Sequence, residues 1–426
     1  MPVDPTPGLS PAYPRFLRAR VSAALADTPV VLLHGPRQCG KTTLARLVCE
    51  PLGYGYLSFD DDSLRAAALA DPAGFVAGLP ARMVLDEVQR VPEIFTALKV
   101  AVDRDRAPGR FLLTGSANVL LLPRLADSLA GRIEPLRLHP LAQCEVAGRE
   151  STFLQALFAA SFGVQRHERM AERLAECVAA GGFPAALARP APRRRDWYRA
   201  YVDTLVQRDV SDLRRIGALE TLPRLLAAAA AQTARLANVS DLAGPFHVSR
   251  PTIRDYVTLL ERVFLVEQLS PWHSNRLSRL VKTPKLHLCD TGLAAALLRV
   301  DAAGLLRDRA LLGQLLETFV LQELRRMASW QPEPITFHHF RDKDGAEVDL
   351  VLERGADEVA GVEVKAAASV TEADFRGLRK LQAAARGAFR CGVVLYDGEH
   401  TLPFGPRLHA VPIRALWERT STADAA

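Results

Sequence analysis

The sequence predicts an α/β protein of several domains, and three observations carry that prediction. In the first third of the chain, short apolar runs alternate with helical stretches. One of those runs, Val30–Leu33, opens directly into a Gly-x-x-x-x-Gly-Lys-Thr segment at Gly35–Thr42. The last hundred residues return to the same alternation, with carboxylates placed inside the strand-like runs. At 426 residues the chain is too long for one compact domain, and roughly two to four are expected.

Apolar residues make up 49% of the chain and charged residues 24%, a composition that forms sizeable cores and argues against disorder. The net charge is +6, and the stretch from Arg193 to Asp290 holds sixteen Lys and Arg against ten Asp and Glu. That stretch accounts for the whole excess and permits a nucleic-acid partner without demanding one. The six cysteines occur singly, without zinc spacing or disulfide density, so a reducing, cytoplasmic setting is the expectation. The Pro-rich start lacks a signal pattern, and no run approaches the ~18 apolar residues of a membrane span.

The runs Val30–Leu33, Tyr56–Phe59, Met83–Leu85, Phe111–Leu113 and Leu136–Leu138 are each bounded by Gly, Pro, Asp or Ser. They read as buried parallel strands. The loop Gly35-Pro36-Arg37-Gln38-Cys39-Gly40-Lys41-Thr42-Thr43 has the chemistry of a phosphate cradle. Its glycines let successive N–H groups turn inward, Lys41 reaches the β- and γ-phosphates, and the Thr42 hydroxyl suits Mg²⁺. The helix that follows points its positive end at the anion. ATP and Mg²⁺ are therefore the expected cofactors. The run Met83–Leu85 ends in Asp86 and Glu87. Asp86 suits the Mg²⁺ shell, and Glu87 suits the water that attacks the γ-phosphate. Phe111–Leu113 ends in polar residues, where Ser116, with Thr114 and Asn118 as rivals, is placed to contact phosphate or water; ordinary strand-end capping is the plainer alternative.

The segments Gly35–Thr42, Leu85–Glu87, Leu113–Ser116 and Leu129–Glu134 resemble an AAA-type ATPase family of bacteria and archaea. In that family the ATPase is followed by a C-terminal domain of unknown function related to restriction endonucleases. The resemblance runs from about Tyr13 to Leu416. It implies an AAA-type P-loop core over 14–148 with sheet order 5-1-4-3-2, a helical lid over 149–230, a winged helix over 231–290 and an endonuclease-like domain over 305–416. AAA-type assemblies often supply an arginine to a neighbour's γ-phosphate, which implies a homo-oligomer and makes Arg132 the candidate finger. A surface salt bridge is the commoner fate of such a residue. Arg208 is a weaker candidate for a sensor arginine on the lid.

From Leu236 to Val263 the pattern is helix, turn, helix. Ser249 reads as an N-cap and Pro251 lies in the first turn. Ile253, Tyr256, Val257 and Leu260 form a buried stripe, which leaves Arg250 and Arg254 outward at the end that a recognition helix places in the major groove. The basic residues Arg276, Arg279, Lys282 and Lys285 follow in the position of a wing. DNA is the expected partner; a module that only packs or assembles is the alternative.

Near the C-terminus, Glu347-Val-Asp-Leu-Val-Leu352 alternates, so Glu347 and Asp349 are expected on one face with Val348, Leu350 and Leu352 buried on the other. Glu363 and Lys365 alternate likewise. Asp349 followed by Glu363-x-Lys365 resembles the PD-(D/E)xK nuclease core, with Val348 in place of the proline. The resemblance implies a divalent metal held by Asp349, Glu363 and the Val364 carbonyl, with Lys365 acting on water. Glu317, on a helix flank, is the preferred third carboxylate, and Glu323 the rival that reads equally well as a buried structural acid. Whether such a constellation cuts DNA or only binds a metal or a DNA end stays open.

Overall fold

Five parallel strands, β1 (Val30–His34), β2 (Gly55–Ser58), β3 (Met83–Asp86), β4 (Phe111–Gly115) and β5 (Ile133–Arg137), form the N-terminal sheet. Their spatial order is β2-β3-β4-β1-β5 in a computed structural model that describes residues 13–116, 131–205, 221–237, 242, 246, 249–274 and 283–418. Read from the other edge this is 5-1-4-3-2, the order that the resemblance implies. All neighbouring pairs are parallel. Strands β1, β3 and β4 are buried along their whole length, as expected of strands covered on both faces by helices. The expected strand Leu136–Leu138 begins three residues earlier. β5 is an edge strand, so half-exposed Ile133 and Glu134 pair with β1 without belonging to an apolar run.

Helices Glu172–Ala180, Ala191–Leu205 and Thr221–Ala231 follow. A three-stranded antiparallel sheet comes next, built from β6 (Arg235–Leu236), β7 (Val266–Leu269) and β8 (Lys285–Leu288) in the order β6-β8-β7. Helix Arg250–Arg262 precedes β7 and starts where the sequence places it. The Ser249 side chain accepts from Thr252 N at 3.3 Å, and Ile253, Tyr256, Val257, Leu259 and Leu260 are buried.

The last unit begins with helix Arg309–Ser329 and continues with β9 (Ile335–Arg341), β10 (Glu347–Arg354), β11 (Glu358–Lys365), helix Arg376–Ala385, β12 (Phe389–Tyr396), β13 (Leu402–Pro403) and β14 (Leu408–Pro412). β9, β10 and β11 form an antiparallel meander, β12 runs parallel to β11, and β14 runs parallel to β12. The expected alternation in β10 holds in part: Glu347 and Asp349 line one cleft, but the buried Val348 and Leu350 do not share a face. The register shifts between Val348 and Val351. Val348 and Val351 therefore share one core with Leu378, while Leu350 and Leu352 join the core of helix Arg309–Ser329. An extra residue in one strand flips the faces beyond it, and such bulges re-aim side chains.

A buried polar hub ties these units together. Asp290 caps helix Thr291–Leu297, accepts from Gly182 N at 2.7 Å, and pairs with Arg326 Nη2 at 3.0 Å. Gly181 is obligatory at this junction. At φ +69° it sits in left-handed space, and a Cβ would meet Asp290 Oδ1 at 2.1 Å and Tyr198 OH at 2.4 Å. Among the described residues, no helix is long and apolar enough to cross a membrane.

Candidate functional site

The carboxyl end of the parallel sheet gathers the first site. β1 runs into the loop, and Gly35 has φ +152°, with space for a Cβ only 2.1 Å from the Leu138 carbonyl oxygen. Gln38 and Gly40 adopt positive φ, and Gly40 is the left-handed residue just before helix Lys41–Cys49. The loop is braced from outside. Arg15 donates to the carbonyls of Cys39 at 3.0 Å and His139 at 2.6 Å, the Cys39 thiol donates to Leu138 O at 3.4 Å, and Tyr201 OH donates to Arg37 O at 3.3 Å. Lys41 is buried and donates to the carbonyls of Gly35 at 3.0 Å and Pro36 at 2.8 Å, so its ammonium lies inside the cradle. Thr43 is exposed.

Beside the loop, Thr42 Oγ1 donates to Asp86 Oδ2 at 2.9 Å. Tyr56 OH donates to the same oxygen at 2.6 Å, and Thr114 Oγ1 donates to Asp86 Oδ1. Burial, and then the hydrogen bond to Asp86, pushes the Tyr56 phenol up to about 12. Glu87 is held at φ 58°, ψ 45°, a left-handed conformation that costs about 1–3 kcal/mol for a non-glycine residue and persists where the surroundings impose it. Thr114 Oγ1 accepts from Glu87 N at 3.2 Å. The Glu87 carboxylate accepts from Ser116 Oγ at 3.1 Å and from Gln89 Nε2, which also reaches Ser116 Oγ at 2.9 Å. The sequence pattern alone does not point to Tyr56 or Gln89. Gln89 had a local signal, two residues beyond Glu87; Tyr56 had only its place on the strand beside β3.

This donor set fits Mg²⁺ and a nucleotide triphosphate. A hydroxyl and a carboxylate already share a hydrogen bond, the preceding residue turns an ammonium into the left-handed glycine loop, and a second carboxylate follows the first in sequence. Bound Mg²⁺ would supply charge neutralisation at the phosphates. His34, at the end of β1, is buried with its pKa pushed down to about 3 by burial, then by Arg137 and Lys41. Its ring lies 5.6 Å from that of Phe264. Arg137 sits over the same ring at 4.8 Å and pairs with Glu267 of β7, which also takes Arg325 Nη1 at 2.9 Å. The nucleotide edge of the sheet thus touches both the three-stranded sheet and helix Arg309–Ser329.

Arg132 lies at the other end. It precedes Ile133, which pairs with Val30, the first residue of β1, and a five-residue strand spans roughly 13 Å. It pairs with Asp103 at 2.6 Å and lowers that carboxyl's pKa; this chain's own loop is out of its reach. Arg250 and Arg254 are exposed at the start of their helix. Asn118, Arg208, Asn238–Asp241, Arg276, Arg279 and Lys282 lie outside the described residues. Lys285 corrects the expected wing: it is the first residue of β8 and is only 3% exposed.

The C-terminal carboxylates meet where β10 and β11 part. Their pairing ends at Leu350 and Val362, and beyond it a cleft of about 450 Å³ is lined by Glu317, Glu347, Asp349, Glu363 and Lys365. Asp349 Oδ2 accepts from Val364 N at 2.9 Å, Glu363 Oε2 accepts from Asp349 N at 3.4 Å, and Lys365 Nζ donates to Glu363 Oε1 at 2.8 Å. Burial, then Asp349, pushes Glu363 up to about 8. Glu323 is elsewhere, accepting from Arg326 and Gln143 N at 2.8 and 2.7 Å. The expected metal trio of Asp349, Glu363 and Glu317 is not assembled around one point. Among the described residues, no group of three or more His, Cys, Asp or Glu is disposed to hold a metal. Lys285 Nζ stands between Glu317 and Asp349, at 2.8 and 3.4 Å.

Comparisons with known proteins agree with the N-terminal geometry. A family model described as an AAA domain matches residues 27–147, and two domains of unknown function, DUF8612 and DUF4143, match 171–304 and 312–416. With its glycine loop and parallel sheet, the N-terminal unit is an AAA-type P-loop ATPase domain. Among solved structures the chain is similar to the Walker-type ATPase PABY2304 of Pyrococcus abyssi, at 14% identity and TM-score 0.41 over 67% of this chain and 96% of that one. It is also similar to the RuvB Holliday junction branch migration motor of Thermotoga maritima, at 20% identity and TM-score 0.29 over 59% and 88%. Both overlaps are too slight to speak for function. The uncharacterized proteins Rv2008c of Mycobacterium tuberculosis and Mb2031c of Mycobacterium bovis are each 33% identical over 402 residues, covering 93% of this chain and 83% of theirs. The chain belongs to the family of these uncharacterized mycobacterial proteins, with an AAA domain at its N-terminus.

Proposed function

We propose that the protein hydrolyses ATP at the Gly35–Thr42 loop and uses its nucleotide state to change its grip on DNA. One observation carries the ATPase part: Lys41, Thr42, Asp86, Glu87 and Ser116 converge at the carboxyl end of one parallel sheet. In this reading Lys41 and the loop N–H groups hold the phosphates, and Thr42 with Asp86 holds Mg²⁺. Glu87, steadied by Ser116 and Gln89, orients or deprotonates the attacking water. Arg132 serves a neighbouring subunit of a homo-oligomer, which is consistent with its position away from its own loop.

For DNA, the support is the exposed pair Arg250 and Arg254 on a capped helix beside a three-stranded sheet, the layout of a winged helix. The helix–β9–β10–β11–helix–β12 order supports kinship of the C-terminal unit with restriction endonucleases. A second reading, a nucleotide-driven regulator whose endonuclease-like domain is inert, is favoured by one observation. Each oxygen of Asp349 and Glu363 already accepts from a protein donor. ATP turnover measured with and without single-stranded, double-stranded and branched DNA tests the main reading. Turnover raised by one DNA form is the expected result, and turnover indifferent to all three, with no salt-sensitive duplex binding, moves the regulator ahead.

A further inference from the structure

The C-terminal cleft is the strongest concentration of charge outside the nucleotide site, and one of its members comes from another unit. Lys285 opens β8, whose strand partners are β6 and β7. Its side chain reaches across to the C-terminal unit, where Nζ lies 2.8 Å from Glu317 Oε1, 2.8 Å from Glu347 Oε1 and 3.4 Å from Asp349 Oδ1. An ammonium has three hydrogens; here it donates to Glu317 and Asp349, and Glu347 stands at ion-pair distance. Burial alone would favour the neutral amine, but the three carboxylates outweigh it and keep the charge on the lysine, raising its pKa above the usual value.

We propose that Lys285 is the resident cation of this cleft: an internal ammonium that occupies the place of a divalent metal and locks the three-stranded sheet onto the C-terminal unit. Three features support exclusion rather than coexistence. Lys285 contacts two of the three carboxylates that a metal would need, Glu317 and Asp349. The remaining oxygen of Asp349 is taken by Val364 N, and Glu363 is held by Lys365. A second cation placed among the same oxygens would meet a like charge at a few ångströms in a buried setting, where repulsion is poorly screened. The lock is a contact between units, so a movement of β8 away from β10 withdraws the ammonium and frees the carboxylates together. The proposal stands on the contacts of Lys285 and does not require that the protein cut DNA.

Mn²⁺ alone is the probe, counted by electron paramagnetic resonance on the full chain without nucleotide. Wild type is expected to show no Mn²⁺ site that depends on Asp349, judged against Asp349→Asn. Lys285→Met is expected to gain one site per chain, at least about tenfold tighter than any in wild type, and Lys285→Met with Asp349→Asn to lose it. A circular dichroism spectrum and melting transition like those of wild type show that the variant is folded. An Asp349-dependent site already present in wild type overturns the proposal, as does a folded Lys285→Met that gains nothing. Should Lys285→Met not fold, acetylation of native wild type decides: Lys285 is expected to resist acetic anhydride while exposed Lys343 reacts, and equal rates overturn the lock. Absent DNA cutting would count against a nuclease and leave these outcomes untouched.

Discussion

Ser116 Oγ donates to Glu87 Oε2 at 3.1 Å, so the end of β4 fixes the carboxylate that follows β3. The contact is possible because β3 and β4 are neighbours, with Leu85 opposite Leu113. It separates the roles of the two acidic residues: Asp86 takes Thr42, Tyr56 and Thr114, and Glu87 takes Ser116 and Gln89.

That separation predicts a split between binding and turnover. Glu87→Gln keeps the shape of the side chain and leaves the loop intact but removes the carboxylate proposed to act on water. ATP binding is expected to persist while kcat falls by about 100-fold or more. Lys41→Ala removes the ammonium from the cradle and weakens nucleotide binding itself. Gln89→Ala leaves Glu87 with one restraint fewer and is expected to lower kcat by roughly tenfold at unchanged KM. Equilibrium binding of a fluorescent ATP analogue, read beside steady-state turnover, distinguishes the three. Normal turnover by Glu87→Gln would assign the water to another residue.

His34 makes the acid side of the stability curve testable. Its folded pKa is about 3 against an ordinary 6.5, so between those values the unfolded chain binds a proton that the native chain refuses. The stability is complete above about pH 6.5 and is lost as the pH falls toward 3, at about 1.4 kcal/mol per pH unit for one such group. His34→Gln is expected to flatten this part of the pH dependence relative to wild type in denaturant melts. Parallel curves for the two proteins would mean that His34 titrates normally.

Arg132 and Asp103 pair on the surface, a contact that contributes little to stability. Arg132→Ala is therefore expected to leave the melting temperature unchanged. If the arginine acts across a subunit interface, its loss lowers turnover at assembling concentrations. Mixing Arg132→Ala with Lys41→Ala protein then restores part of the activity, because some interfaces carry an intact loop facing an intact arginine. Undiminished turnover by Arg132→Ala across a dilution series would remove it from the reaction.

The nucleotide loop was legible because its chemistry is contiguous: strand, glycine loop and helix lie within Val30–Cys49. Asp86 and Glu87 were legible at the end of an apolar run. Tyr56 was not, because its hydroxyl meets Asp86 only through the packing of β2 beside β3. The role of Lys285 is hidden in the sequence for a physical reason. A lysine among Arg276, Arg279 and Lys282 reads as a basic surface, and its carboxylate partners come from a distant helix and strand. The shift in β10 was equally hidden, since Val348, Leu350, Val351 and Leu352 are all apolar and fit either face. Charge pairing and register are settled by tertiary neighbours, which local periodicity does not record.

The helix Arg250–Arg262 yields the last prediction. Its apolar residues are buried and its N-cap is in place, so Arg250 and Arg254 can be changed without disturbing the core. Both project from the first turns, the end that enters a groove in helix–turn–helix docking. If each neutralises a phosphate, the double variant Arg250→Ala, Arg254→Ala binds duplex DNA more weakly, and the slope of log K against log salt falls by about one per lost contact. If one of them reads a base edge instead, affinity falls for a preferred sequence more than for a random one, with a smaller change in slope. The measurement is fluorescence anisotropy of a labelled duplex between about 50 and 200 mM salt. An unchanged affinity and slope, in protein that still turns over ATP, would show that this helix packs against its neighbours and leaves DNA to another surface.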